Sequence, residues 1–207
     1  MYTRDPIFWR AGAISSLVVM VAILIALTIN TIGVISAGGA NVPPYTVINQ
    51  AIGYVDDDAQ HEYVPTIGGS DPLFGHVYDE RQATALIHEG KLVIQSRACL
   101  ECHSVFGTGA YYAPDLTKSW LDPVWRRMWE PMTQTHTRAD AMVAFLMEPD
   151  KYPTWTREMP NLHLTRGEAQ AVVAYLKWTS SINTNGFPNG FQADPDTPSG
   201  KQAAVNR

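Results

Sequence analysis

Cysteine is almost absent from this chain: Cys99 and Cys102 are the only two among its 207 residues. A pair this small and this close excludes a disulfide-stapled scaffold. With no second cysteine pair, the four-ligand pattern of a structural zinc site is also missing. Charge is absent from Ala11 to Val55, and Ala11–Ser36 is almost wholly aliphatic, small or hydroxylic. No long basic run occurs on a chain of net charge −5, so nucleic acid is not an expected partner. Nor is there an internal repeat, which argues against a solenoid.

What is present is concentrated in Cys99-Leu100-Glu101-Cys102-His103. A C-x-x-C-H run reads as a covalent c-type haem site. The two thiols add across the haem vinyl groups, and His103 meets the iron as the proximal axial ligand. A thiol redox pair is the rival reading of C-x-x-C, but it has no need of the following histidine. With both thiols joined to haem, no disulfide remains to hold the domain, so its core rests on the haem and the helices around it.

Residues 11–36 exceed the ~20 apolar residues that span a bilayer. Arg4 and Arg10 precede this segment, whereas the first charges after it are Asp56, Asp57 and Asp58. The positive-inside rule puts residues 1–10 in the cytoplasm and everything after residue 36 outside. That predicts a single-pass protein of a bacterial inner membrane, in contact with lipid, with its haem domain in the periplasm. Phe8 and Trp9 stand where interfacial aromatics are expected. Ser36-Ala37-Gly38-Gly39 resembles a signal-peptide cut, but the apolar stretch is far longer than the usual h-region of about 7–15 residues.

Residues 37–79 read as a periplasmic connection rich in Gly, Pro and Asp, able to form a short strand pair or to lie on a partner. Its His61 and His76 are unpaired and read as ordinary surface residues. From Asp79, an N-cap, helical spacing of Ala83, Leu86, Ile87, Gly90 and Ile94 predicts a helix to about Arg97. A short helix is predicted over Pro123–Glu130, capped by Asp122 and ended by Pro131. Another runs over Arg138–Met147, capped by Thr137, with Ala141, Met142 and Phe145 inward. The capping box Thr165-Arg166-Gly167-Glu168 opens the last helix, with Ala169, Val172, Val173 and Leu176 as its apolar stripe. The fold class is therefore all-α: one transmembrane helix, then a class I-like cytochrome c domain over residues 80–190, with 191–207 as a tail.

The sixth iron position calls for a thioether or a second imidazole. Met142 and Met147 lie on a predicted helix and suit core packing. Met159 is the leading candidate, in the loop Arg157-Glu158-Met159-Pro160 before the last helix, because the following proline holds it extended. Met128, Met132, His136 and His163 are the alternatives.

Three stretches carry a family resemblance. The run from Cys99-Leu100-Glu101-Cys102-His103 through Gly107-Thr108-Gly109-Ala110-Tyr111-Tyr112-Ala113-Pro114-Asp115-Leu116 resembles the cytochrome c subunit of bacterial nitric oxide reductase. So do Arg157-Glu158-Met159-Pro160-Asn161-Leu162 and the run Tyr175-Leu176-Lys177-Trp178 to Asn189. The connection 37–79 and the stretch around 119–155 depart from the usual pattern. The resemblance implies an electron-transfer subunit that takes electrons from a periplasmic cytochrome c or small copper protein. It would pass them to a polytopic catalytic subunit with b-type haem and non-haem iron, where NO becomes N2O. No NO-reducing site would lie on this chain. The resemblance also implies a calcium ion shared with the catalytic subunit, drawing on the Gly109 carbonyl and the Tyr111 hydroxyl. A subunit of an oxygen-reducing oxidase, or a free membrane-tethered shuttle, would use the same one-electron chemistry.

Overall fold

Asp5 and Pro6 begin the first helix as their chemistry requires. The Asp5 carboxylate accepts the Ile7 N–H at 2.9 Å, and Pro6 takes the first helical position, where its missing N–H costs nothing. In the computed structural model, which describes residues 5–40, 42–57, 62–152, 158–188 and 191, this helix, α1, runs Pro6–Ala40. It extends past the predicted 11–36 on both sides. Its Pro6–Ser36 stretch is long and apolar enough to cross a membrane. The Thr28 hydroxyl donates to the Leu24 carbonyl at 2.8 Å, so that polar group is satisfied within the helix. α1 forms one compact unit, Met1–Val42; the second is Pro43–Arg207.

The second unit starts well before residue 80. Residues 43–79 hold a hairpin of β1 (Gln50–Asp57) and β2 (Glu62–Ser70), antiparallel, with Ile52 opposite Ile67 and Tyr54 opposite Pro65. The hairpin and the short turns beside it feed the core: Val47 and Ile48 before β1, Ile52 and Tyr54 on β1, and Leu73 after β2 are each at most 5% exposed. The two ends of the segment are pinned together by Asn49. Its side-chain amide donates to the Tyr78 carbonyl at 2.8 Å and accepts the Tyr78 N–H at 2.9 Å. His76 packs edge-on against Tyr78, and His61 lies outside the described residues.

Two helices carry the rest of the core. α2 spans Glu80–Ser96 behind a capping box of Asp79 and Gln82. It buries Ala83, Ile87, Gly90, Val93 and Ile94. The last helix, Arg166–Ser180, opens with the predicted box of Thr165 and Glu168 and buries Ala169, Val172, Val173 and Leu176. These helices meet at Gly90, where a Cβ would lie 2.0 Å from the Ala171 carbonyl oxygen. Only hydrogen fits there, and the backbones approach accordingly. Two hydrogen bonds from Arg97 to Glu168 Oε1, at 3.1 and 2.6 Å, tie the end of α2 to the start of the last helix. The Thr165 N–H and then Arg97 hold the Glu168 carboxyl down at about 2.

The predicted short helix at 123–130 takes a different form. Trp125–Trp129 winds as a π turn, whose closing bond runs from the Glu130 N–H to the Trp125 carbonyl. α3 (Glu130–Thr133) follows, with Pro131 in its first turn. Pro131 therefore starts a helix instead of ending one, because its missing N–H falls where the ladder changes register. α4 spans Arg138–Met147 as predicted, capped by Thr137, with Ala141 and Met142 buried. The last helix is thus α5. The unit is mostly helical, as the sequence implied, with the β1–β2 hairpin added to it.

Candidate functional site

α2 delivers the chain to the motif through Ala98, whose left-handed backbone (φ 56°) turns it out of the helix. Cys99–Glu101 then forms a 3₁₀ turn, with Cys102 N–H donating to the Cys99 carbonyl at 3.3 Å. In such a turn side chains three apart eclipse, so both sulfurs leave on one face. The His103 N–H also bonds the Cys99 carbonyl, at 3.0 Å, which fixes the imidazole directly after that face.

The imidazole has a defined proton. His103 Nδ1 lies 2.7 Å from the Pro114 carbonyl oxygen, which only accepts, so Nδ1 carries the hydrogen. Nε2 is then the basic nitrogen, free to bind a metal.

Residues 104–117 wrap back over the motif. β3 (Ser104–Val105) and β4 (Thr108–Gly109) pair across a two-residue turn. Both turn residues have positive φ, Phe106 at 50° and Gly107 at 74°, the pattern of the turns that match strand twist. Ala110, Ala113 and Leu116 then donate their N–H groups to the carbonyls of Leu100, Cys102 and Ser104, at 3.0, 2.8 and 2.8 Å. Gly109 sits at the tightest point: φ is 124°, and a Cβ would lie 2.3 Å from the His103 carbonyl oxygen. The part of the sequence most specific to the resemblance is therefore a backbone zipper around the motif.

Of the predicted site residues, this loop brings Cys99, Cys102, His103 and Gly109 together. Tyr111 lies on it but is 75% exposed, and its hydroxyl donates to the Gly107 carbonyl at 3.0 Å. The Gly109 carbonyl and that hydroxyl supply two oxygens, against the roughly six to eight that calcium takes. Among the described residues no group of three or more His, Cys, Asp and Glu side chains is placed to hold a metal ion. Met159 belongs to a separate segment, half-buried in the loop before α5. Asn161 ties that loop to Asp150 through a 2.8 Å hydrogen bond; Arg157 lies outside the described residues. Met128 is half-buried, Met132 is exposed, and Met142 is in the core. His136 and His163 are exposed.

Two rival readings lose ground on this geometry. Burial pushes the Cys99 thiol above its ordinary range, whereas redox pairs of this spacing need a depressed thiol. Zinc would need further ligands, and that grouping is absent among the described residues. The donor set suits a c-type haem: two thiols one turn apart, then an imidazole whose Nδ1 is taken up by the Pro114 carbonyl, which leaves Nε2 as the ligating nitrogen.

Sequence reasoning missed two buried cations behind the loop. Lys118, 2% exposed, donates to the carbonyls of Ser180 (3.4 Å) and Ile182 and lies under the Tyr54 ring. Desolvation lowers it to about 8. Lys177, 1% exposed, donates to the Asp71 carbonyl and carboxylate at 2.8 and 3.0 Å. Their partners lie far away in sequence, and no local pattern announces them.

A cytochrome c family model matches residues 87–180. The C subunit of nitric oxide reductase from Paracoccus denitrificans is 30% identical over 128 residues, covering 59% of this chain and 81% of that protein. This chain belongs to the family of nitric oxide reductase C subunits. The Stutzerimonas stutzeri member is 30% identical over 110 residues, 53% of this chain and 69% of its own. That of Halomonas halodenitrificans is 28% identical over a stretch of the same length. Membership makes this chain an electron-transfer subunit of nitric oxide reductase, with a covalently bound haem c in its cytochrome c domain and α1 as candidate membrane anchor.

Proposed function

We propose that this chain takes electrons from a periplasmic cytochrome c or small copper protein and hands them to the catalytic subunit that reduces NO to N2O. One observation carries the reading: in a member of this family, a 3₁₀ turn sets Cys99 beside Cys102 and is followed by an imidazole whose Nδ1 is already bonded to the Pro114 carbonyl. Cys99 and Cys102 would hold the haem through thioethers. His103 Nε2 would bind the iron, and Met159, from the loop before α5, would supply a second ligand. When bound, the haem supplies a one-electron ferric/ferrous couple. The residues of this chain would orient that group, and proton and NO chemistry would belong to the catalytic subunit. α1 would anchor the chain in the inner membrane with the domain at the periplasmic side, as the Arg4 and Arg10 asymmetry supports.

The test is covalency and company. Under denaturing conditions the chain is expected to keep its haem, seen as peroxidase staining at its own band, and Cys99→Ala or Cys102→Ala to abolish or sharply reduce it. Mild detergent extraction should yield the chain bound to a larger haem-containing membrane protein with NO-reducing activity. Haem that extracts freely, or NO reduction that survives deletion of the chain, would overturn the reading.

A further inference from the structure

Beneath the proximal histidine lies a polar clamp that electron transfer as described does not use. The Asp115 carboxylate accepts the Ser104 hydroxyl at 2.6 Å through one oxygen and the Thr117 N–H at 2.8 Å through the other. Thr117 Oγ1 in turn accepts the Phe106 N–H at 2.7 Å, and the Ser180 hydroxyl donates to the Thr117 carbonyl at 3.2 Å. Ser104 and Thr117 are fully buried and Asp115 is half-buried, so water competes for these bonds at most from the carboxylate side. The 2.6 Å contact is a charge-assisted bond, the stronger class.

Position gives the clamp its meaning. Ser104 follows His103 directly, and Asp115 follows Pro114, whose carbonyl holds His103 Nδ1. The pyrrolidine ring fixes φ of Pro114, so the aim of its carbonyl depends on the tilt of the Pro114–Asp115 peptide plane. Asp115 anchors the far side of that plane. The carboxylate thereby staples both ends of the His103–Pro114 hydrogen bond.

We infer that Asp115 is a positioning residue that sets the orientation and basicity of the His103 imidazole through Ser104, Thr117 and the Pro114 carbonyl; this rests on the reading of His103 as the haem ligand. A firmly held acceptor at Nδ1 enriches the imidazole in electrons, and a nearby negative charge adds to the effect. Both favour ferric iron and hold the potential down.

The experiment uses the full, haem-loaded chain in detergent, with two readouts: the midpoint potential and the rate at which the His103 Nδ1 proton exchanges with deuterium by NMR. In Asp115→Ala the proton is expected to exchange roughly tenfold faster, the loss of about one net hydrogen bond, and the potential to shift upward. Asp115→Asn keeps the acceptor for Thr117 but loses the charge, so its potential should rise with a smaller change in exchange. If Asp115→Ala does not mature, Ser104→Ala removes the 2.6 Å bond while leaving the carboxylate, and the same two quantities decide. Wild-type exchange and potential in a haem-loaded Asp115→Ala or Ser104→Ala chain would overturn the inference. A wild-type chain with no exchangeable axial-imidazole proton would instead bring down the His103 assignment, and this inference with it.

Discussion

The crossing of α2 and α5 and the loop over residues 99–117 lie within one domain and are held together by opposite means. The helix crossing is apolar and close: Gly90 admits the Ala171 backbone, and Ile87, Ile94, Val172 and Val173 fill the space beside it. The loop also buries Cys99 and Val105, but its path is stitched by directed bonds: Ala110, Ala113 and Leu116 donate their N–H groups, and Asp115 and Thr117 Oγ1 accept from Ser104, Thr117 and Phe106. Packing is non-directional and tolerates small shifts at graded cost, whereas a hydrogen bond loses most of its value over a few tenths of an ångström or a poor angle. The crossing therefore sets whether the domain folds. The loop sets where the thiols and the imidazole stand.

Matched glycine substitutions sharpen that division. Gly90→Ala puts a methyl group 2.0 Å from Ala171 O and 2.9 Å from Tyr175 Cβ, both on a rigid helix. The expected cost is about 3 kcal/mol or more, the upper end for overpacking, read as a fall in denaturant midpoint with the slope unchanged. A loss below about 1 kcal/mol would mean that the helices slide apart freely and that the crossing is not the stabilising contact.

Gly109→Ala comes next. Its φ of 124° is foreign to alanine, and the new Cβ would meet the His103 carbonyl at 2.3 Å. Strain of this kind costs about 1–3 kcal/mol, but it falls on the motif itself. Haem loading is expected to drop severalfold while far-UV circular dichroism keeps the helical signal of α2, α4 and α5. If helix content falls with haem content, the two regions are one cooperative unit and the division fails.

The same contrast explains what could be read beforehand. α2, α4 and α5 were legible because each start is a local event: Asp79 with Gln82, Thr137 with Asp140, and Thr165 with Glu168. The motif was legible because its chemistry lies in five consecutive residues. The hairpin was legible only as one option of two, since Ile52, Gly53 and Tyr54 are buried in succession and break the alternation of a half-buried strand. Pro65 within β2 also argues against a strand, though a two-stranded sheet has only edges, where proline is allowed. The π turn over Trp125–Trp129 has no residue signature separating it from an α-helix. The clamp at Asp115 required knowing that the chain doubles back eleven residues after Ser104.

Lys118 joins the two regions and supplies the subtlest test. It follows Thr117 at the end of the stitched loop, yet its ammonium reaches the carbonyls of Ser180 and Ile182 at the close of α5, where a cation suits the helix dipole. Burial still lowers it to about 8 from 10.5. Below pH 8 it is charged in both folded and unfolded chains, and the desolvation cost is fully present. Between about 8 and 10.5 the folded chain sheds the proton while the unfolded chain keeps it. Stability must then rise with pH, by at most about 1.4 kcal/mol per unit. Buried Tyr54 and Tyr175, raised by desolvation, act in the opposite sense once unfolded tyrosines ionise near pH 10. Comparison with Lys118→Met isolates the lysine: the stability of wild type relative to this variant should climb from pH 8 to 10 and stay level below pH 7. A flat difference across the whole range would mean that the two carbonyls compensate the buried charge completely, and that the joint between loop and α5 is as well solvated as the surface.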